Sequence, residues 1–263
     1  MKRILFLCTL MASMLGLVAQ NQWQGKRAAY LGDSMTDLNN KAANYHYYDY
    51  LRDSLGIEPL VYARSGNQWH QVYKYAERMI KEQGDNIDVI FIWAGTNDYF
   101  HSTPIGQFYT EHDTVVNVNG KMVPRKGRYW IYDDTTFCGR INKLLQMLKH
   151  RYPTQQIILM TPPHRAYANF SRPERANVQP DENISNEHGL YIEDYVHVLK
   201  QAGEYWSVPV VDLFSTSGLY PLDDSYTRYF ANPDTDRLHP NNQGHIRLGK
   251  TIAEKIKNLP SRF

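Results

Sequence analysis

Cysteine is almost missing from this chain, with Cys8 and Cys138 the only two in 263 residues. No disulfide framework can be built from that number, so the fold must rest on an apolar core. Long hydrophobic runs are missing too, except near the start, where Ile4 to Leu10 and on to Ala19 follow Met1-Lys2-Arg3. That run is too short and too soon interrupted to span a bilayer. A basic start, an apolar middle and small residues near Ala19 read instead as a signal peptide over residues 1–20, with no permanent membrane anchor and a secreted or periplasmic destination. An excess of one charge is the third absence. Removing Lys2 and Arg3 takes the 29 basic side chains to 27, against 27 acidic ones. A mature chain so close to neutral has no basic surplus to suit nucleic acid. No His, Asp and Glu cluster has the spacing of metal ligands, so neither metal nor cofactor is expected. Cleavage also removes Cys8, and Cys138 is then expected as a small buried side chain on a helix.

What is present is an ordinary globular composition, 42% hydrophobic and 21% charged, which excludes disorder. There is no internal repeat and no linker, so residues 21–263 read as one domain. Apolar runs alternate with helical periodicity. Ala28-Ala29-Tyr30-Leu31, Leu60-Val61-Tyr62, Val89-Ile90-Phe91-Ile92-Trp93, Ile157-Ile158-Leu159-Met160 and Val208-Pro209-Val210-Val211 read as five strands. Between them, Tyr48/Leu51/Leu55, Val72/Tyr75/Ala76/Met79, Ile141/Leu144/Leu145/Leu148 and Ile192/Tyr195/Val196/Leu199 repeat at i, i+3, i+4, and Leu248/Ile252/Ile256 close the chain. Alternation of this kind predicts an α/β fold, a parallel sheet with helices on both faces. The pattern lapses over residues 99–134, where Asn119-Gly120 between Val118 and Lys121 predicts a hairpin with a type I′ turn. This insertion is expected to form a flap over one side of the active site. Residues 164–188 read as a polar loop.

Four polar turns fall at strand ends or just before the last helix. The first strand stops at Gly32-Asp33-Ser34-Met35, the second at Ser65-Gly66-Asn67, the third at Gly95-Thr96-Asn97-Asp98, and Asp236-Arg237-Leu238-His239-Pro240 precedes the final helix. Each alone is ordinary; Ser34 would serve as a helix cap, and Asp236-x-x-His239 as a helix start. Together they suit acyl transfer, which needs a nucleophile, a base and donors for a developing oxyanion. Ser34 is the candidate nucleophile, His239 the base and Asp236 the residue that holds the imidazole tautomer. Asp33 is expected to fix the turn through backbone N–H groups, and His245 to pack.

In these four blocks the chain resembles the SGNH hydrolases, whose nucleophile block is usually written GDSL; Met35 replaces the usual Leu, and the second block carries one glycine where more are common. The resemblance covers nearly all of residues 21–263 apart from the insertion and the loop after Pro163. It implies a flavodoxin-like three-layer αβα sandwich with a five-stranded parallel sheet. It also implies an oxyanion hole from the Ser34 N–H, the Gly66 N–H and the Asn97 amide. Tyr99 and His164, at the same sheet edge, are candidate substrate contacts. The expected function is a secreted serine esterase acting on short acyl esters of carbohydrates, small or polymeric. A lipase, lysophospholipase or thioesterase on the same machinery, or a non-catalytic carbohydrate-binding protein, are the rival readings.

Overall fold

A computed structural model describes residues 21–260; the signal-peptide reading lies outside the described residues. The strands and helices follow in order as β1 (Arg27–Gly32), α1 (Tyr47–Leu55), β2 (Glu58–Ala63), α2 (Trp69–Gln83), β3 (Val89–Trp93) and α3 (Thr96–Phe100). After the hairpin β4 (Tyr109–Val118) and β5 (Lys121–Trp130) come α4 (Phe137–Arg151), β6 (Gln156–Met160), β7 (Ala168–Asn169) and β8 (Val178–Gln179). The chain ends with α5 (Ile192–Trp206), β9 (Val210–Val211), α6 (Leu213–Thr216), a 3₁₀ turn (Asp224–Tyr229), β10 (Phe230–Asn232), β11 (Asp236–Pro240) and α7 (Asn242–Lys257).

The central sheet has the order β2-β1-β3-β6-β9, all parallel. Every residue of β3 and β6 is buried, as strands covered on both faces must be. Successive side chains divide between two cores. Ala29, Leu31, Ile90, Ile92, Ile157 and Leu159 pack under α2, α4 and α5. Ala28, Tyr30, Phe91, Trp93, Ile158 and Met160 pack under α1 and α7. On that second face Tyr30 lies flat on Phe91, ring centroids 5.0 Å apart, and each large side chain so buried contributes about 1.5–3 kcal/mol. Gly56, left-handed at φ 70°, ends α1. Cys138 is a free, buried side chain on α4. The fifth strand is shorter than its apolar run predicts. Pro209 has no N–H to give, so pairing with β6 is confined to Val210 and Val211.

Two features depart from expectation. The loops after Pro163 and before α7 are not irregular: they join in a small antiparallel sheet of order β10-β11-β7-β8. The hairpin forms in the expected register, with Asn119 and Gly120 both at positive φ, 52° and 81°, but it is no flap over the site. Asn142 of α4 donates to the carbonyls of Phe108 (2.7 Å) and Ile131 (2.8 Å) at its base. Tyr109 and Trp130 pack edge-on against Tyr205, and Trp130 packs at a tilt against Trp206. Those two residues end α5, at the amino edge of the parallel sheet, so the aromatics pin the hairpin away from the carboxyl edge.

Candidate active site

In a sheet of this order the chain leaves β1 in opposite directions, so the crevice beyond β1 and β3 is where a ligand site forms. Ser34 follows β1, Gly66 follows β2 and Asn97 follows β3, and all three line one cleft of about 750 Å³. The turn that carries Ser34 is held from within. Asp33 accepts from the Met35 N–H (3.0 Å), and Asn40 Nδ2 donates to the Ser34 carbonyl (2.9 Å). A second tie joins the first two turns: the Ser65 N–H and hydroxyl both donate to Asp37, at 2.7 and 2.8 Å. Burial would raise the Asp37 carboxyl, but these donors and the Asn39 N–H hold it below the usual carboxylate range. Asn67 Nδ2 donates to the Gly32 carbonyl (3.0 Å) and completes the connection.

His239 reaches this edge from β11. Its Nε2 lies 2.9 Å from Ser34 Oγ, and its Nδ1 lies 3.0 Å from Asp236 Oδ2. The other Asp236 oxygen accepts the N–H groups of Leu238 (3.1 Å) and His239 (2.9 Å), so the carboxylate is fixed by its own strand end. Asn241 caps α7 immediately afterwards, accepting from Gln243 and Gly244. This is a linear relay in which a hydroxyl proton can pass to an imidazole whose second nitrogen faces a carboxylate.

Across from it, Gly66 stands at φ 87°, a conformation L residues avoid, with open space where a Cβ would be. Neither the Ser34 nor the Gly66 N–H donates to any group among the described residues. Asn97 Nδ2 donates to the Asn67 carbonyl (3.0 Å) and lies 3.4 Å from Asp33 Oδ2. Complete burial pushes the Asp33 carboxyl up to about 7, against the Met35 N–H and the nearby His239 and Arg165. Asp98 turns away from the cleft, bonded to Arg140 (2.8 Å) and the Trp69 N–H (3.1 Å), and locks α3 onto α2 and α4.

Thus Ser34, His239, Asp236, Gly66 and Asn97 are brought together, and two expected residues are not. Tyr99 points into the core, where its hydroxyl donates to the Ile184 carbonyl (2.5 Å) and its ring meets Tyr195. One helical residue later the chain faces outward, and Phe100 and His101 line the cleft instead. His164 is held off by Glu182 (2.5 Å) and packs on Phe214. Unforeseen lining comes from Lys41 and from the β7–β8 turn, which supplies Phe170, Arg172, Arg175 and Asn177; Phe170 sits 5.2 Å from the His239 ring. The basic turn Phe170-Ser171-Arg172-Pro173-Glu174-Arg175 was the available signal. Arg165, missed as well, is buried beneath it, donating to Thr96 (3.1 Å) and Gln179 (2.9 Å).

The fold and the cleft define a class. The model of the GDSL-like lipase/acylhydrolase family matches residues 30–247, and the chain belongs to that family of ester-hydrolysing enzymes. Solved structures agree on the fold. A protein from Lactobacillus plantarum superposes with a TM-score of 0.67 at 24% identity, over 90% of this chain and 99% of its own. A possible lipase from Chitinophaga pinensis gives 0.64 at 18%, over 88% and 97%. An acetyl xylan esterase from Geobacillus stearothermophilus gives 0.55 at 19%, over 92% and 100%. No curated protein matches the chain.

Proposed function

We propose that the protein is an exported serine esterase that removes short acyl groups, acetyl first among them, from carbohydrate. The observation that carries the hydrolytic part is the run Asp236–His239–Ser34, bonded at 3.0 and 2.9 Å in an open cleft. Ser34 Oγ attacks the ester carbonyl while His239 Nε2 takes its proton, and Asp236 holds the imidazole and stabilises its charged form. The oxyanion that develops is received by the unengaged N–H groups of Ser34 and Gly66 and by Asn97 Nδ2, which exchanges its long approach to Asp33 for the new partner. His239 returns the proton to the sugar oxygen as the alcohol leaves. Water, activated the same way, then cleaves the acyl-serine.

The substrate reading rests on the walls. Phe100 and Phe170 offer two flat faces, and the rest of the rim is mostly amide, hydroxyl and basic. Such a surface suits sugar rings and gives little of the roughly 0.8 kcal/mol per methylene that an alkyl tail needs. Export rests on the leader-like residues 1–20. The test is turnover of 4-nitrophenyl esters from acetyl to octanoyl. Acetyl is expected to be fastest, and Ser34→Ala and His239→Ala to abolish activity. Full turnover in Ser34→Ala sinks the proposal, and a rise in kcat/KM with chain length moves it to a lipase.

A further inference from the structure

The catalytic cleft has an unbalanced charge. Lys41, Arg172 and Arg175 all line it, and none of the three has an ion pair, hydrogen-bond acceptor or ring partner for its side chain among the described residues. The cleft's one carboxylate is Asp236, and both of its oxygens are engaged by His239 and by backbone N–H groups. Glu174 lies between the two arginines in sequence but does not line the cleft, and Glu187 lines only a neighbouring groove that Arg175 also borders.

The arginines are also not on a loose loop. The Arg172 and Arg175 backbones bond each other reciprocally, at 2.9 and 3.0 Å, and Phe170 N–H donates to the Asn177 carbonyl (2.8 Å). Below the turn, Ala168 pairs with Asp236 itself, and Asn169 N–H donates to the Thr235 carbonyl (2.8 Å). The strand that carries Asp236 and His239 therefore also fixes where the two guanidinium-bearing residues sit. A guanidinium presents a donor fork matched to carboxylate and sulfate oxygens. Several exposed arginines elsewhere on this protein are paired, as Arg52 is with Asp49 and Arg78 with Glu82, whereas Arg64 has no side-chain partner among the described residues. Three unpaired cations around one cleft are left for an external anion.

We infer, on the basis of the esterase reading above, that the preferred substrate is an acyl ester on an acidic sugar, one bearing a carboxylate or sulfate close to the acylated hydroxyl. Lys41, Arg172 and Arg175 receive that anion while Phe100 and Phe170 flank the ring.

The experiment compares acetylated methyl glucosiduronic acid with its primary amide, which has the same ring and acetyl group but no charge. Each cation within about 5 Å of the anion in a water-like medium is worth roughly fourfold, so the acid is expected to exceed the amide in kcat/KM by tenfold or more. The ratio should fall toward one near 1 M salt, where the screening length is about 3 Å. It should fall likewise in Arg172→Gln/Arg175→Gln, and partly in Lys41→Gln. An acetylated glucoside 6-sulfate measured alongside tells sulfate from carboxylate as the favoured anion. A ratio near one in the native enzyme, or one unchanged by salt and by the substitutions, overturns the inference while leaving the esterase reading intact. Failure to hydrolyse any acetyl ester, the neutral 4-nitrophenyl ester included, refutes the reading on which it rests.

Discussion

His245 should make the enzyme acid-labile by an amount that can be worked out in advance. It lies in the first turns of α7, 3% exposed, with its ring against His46 (4.9 Å) and Tyr47 (6.2 Å). Its Nδ1 is buried without a partner. Burial first, and then the neighbouring His46 and His239, together pull its pKa down to about 3. In the unfolded chain the same imidazole titrates near 6.5. The folded state therefore stays neutral where the unfolded state binds a proton, so the contribution is fully present above pH 6.5 and is lost as pH falls toward 3. Between pH 7 and pH 5 the unfolded state gains about 2 kcal/mol from this one group. That figure holds for any folded pKa well below 5, so it does not depend on the depth of the shift. The measurement is urea unfolding, followed by tryptophan fluorescence, of the native chain and His245→Leu at both pH values. Leucine fills much of the same volume and leaves no unpaired nitrogen. The native chain should lose about 2 kcal/mol more than the variant on going to pH 5. Equal losses in the two proteins would show that the imidazole is protonated in the folded state, and the reasoning fails.

Arg140→Ala strips the buried Asp98 carboxylate of its charged partner and should cost about 3–5 kcal/mol in a chemical denaturation midpoint analysis; a loss below 1 kcal/mol would mean the pair contributes little. Replacing hairpin residues 114–125 by a two-residue Asn-Gly turn should leave kcat/KM for an acetyl ester within about twofold, since no residue of β4 or β5 lines the cleft. A tenfold change would return the hairpin to the active site. Gly66→Ala should fold, because the Cβ meets nothing within 4 Å. The φ of 87° strains it by about 1–2 kcal/mol, and because alanine keeps the N–H, kcat should fall only as far as relief of that strain moves the donor; a stability equal to that of the native chain would refute the strain.

Much of this arrangement is legible in the residues because the central sheet is buried on both faces. A strand such as Val89–Trp93 then becomes an unbroken apolar word, and the polar turn after it marks the carboxyl edge. Asn119-Gly120 announced the hairpin through its backbone demands, yet nothing in the strands told where the hairpin would lean. That depended on Tyr205 and Trp206, seventy-five or more residues downstream. The small sheet escaped notice for a related reason. Ala168–Asn169 and Val178–Gln179 are two residues each, below the length at which alternation can register, and Asp236–Pro240 has no β-branched residue at all. Its strands exist through partners rather than propensity. Tyr99 failed as a substrate contact by a single position, since α3 begins at Thr96 and its hundred-degree steps turn Tyr99 inward and Phe100 outward.

The proposed nucleophile and its proposed base belong to parts of the molecule with unequal resistance to opening. Ser34 follows a strand flanked by β2 and β3 and sealed between two helical layers. His239 stands on a four-stranded patch in which β7 and β8 pair over only two residues. Sub-global fluctuations that separate this patch cost less than melting the central sheet. On slow heating, hydrolysis should therefore fade while the tryptophan signal of the two cores is still native, and recover on cooling. Amide exchange should likewise run faster at Asn169 and Arg237 than at Tyr30 and Phe91. Catalytic output then reports the integrity of a minor sheet, not of the fold that carries it.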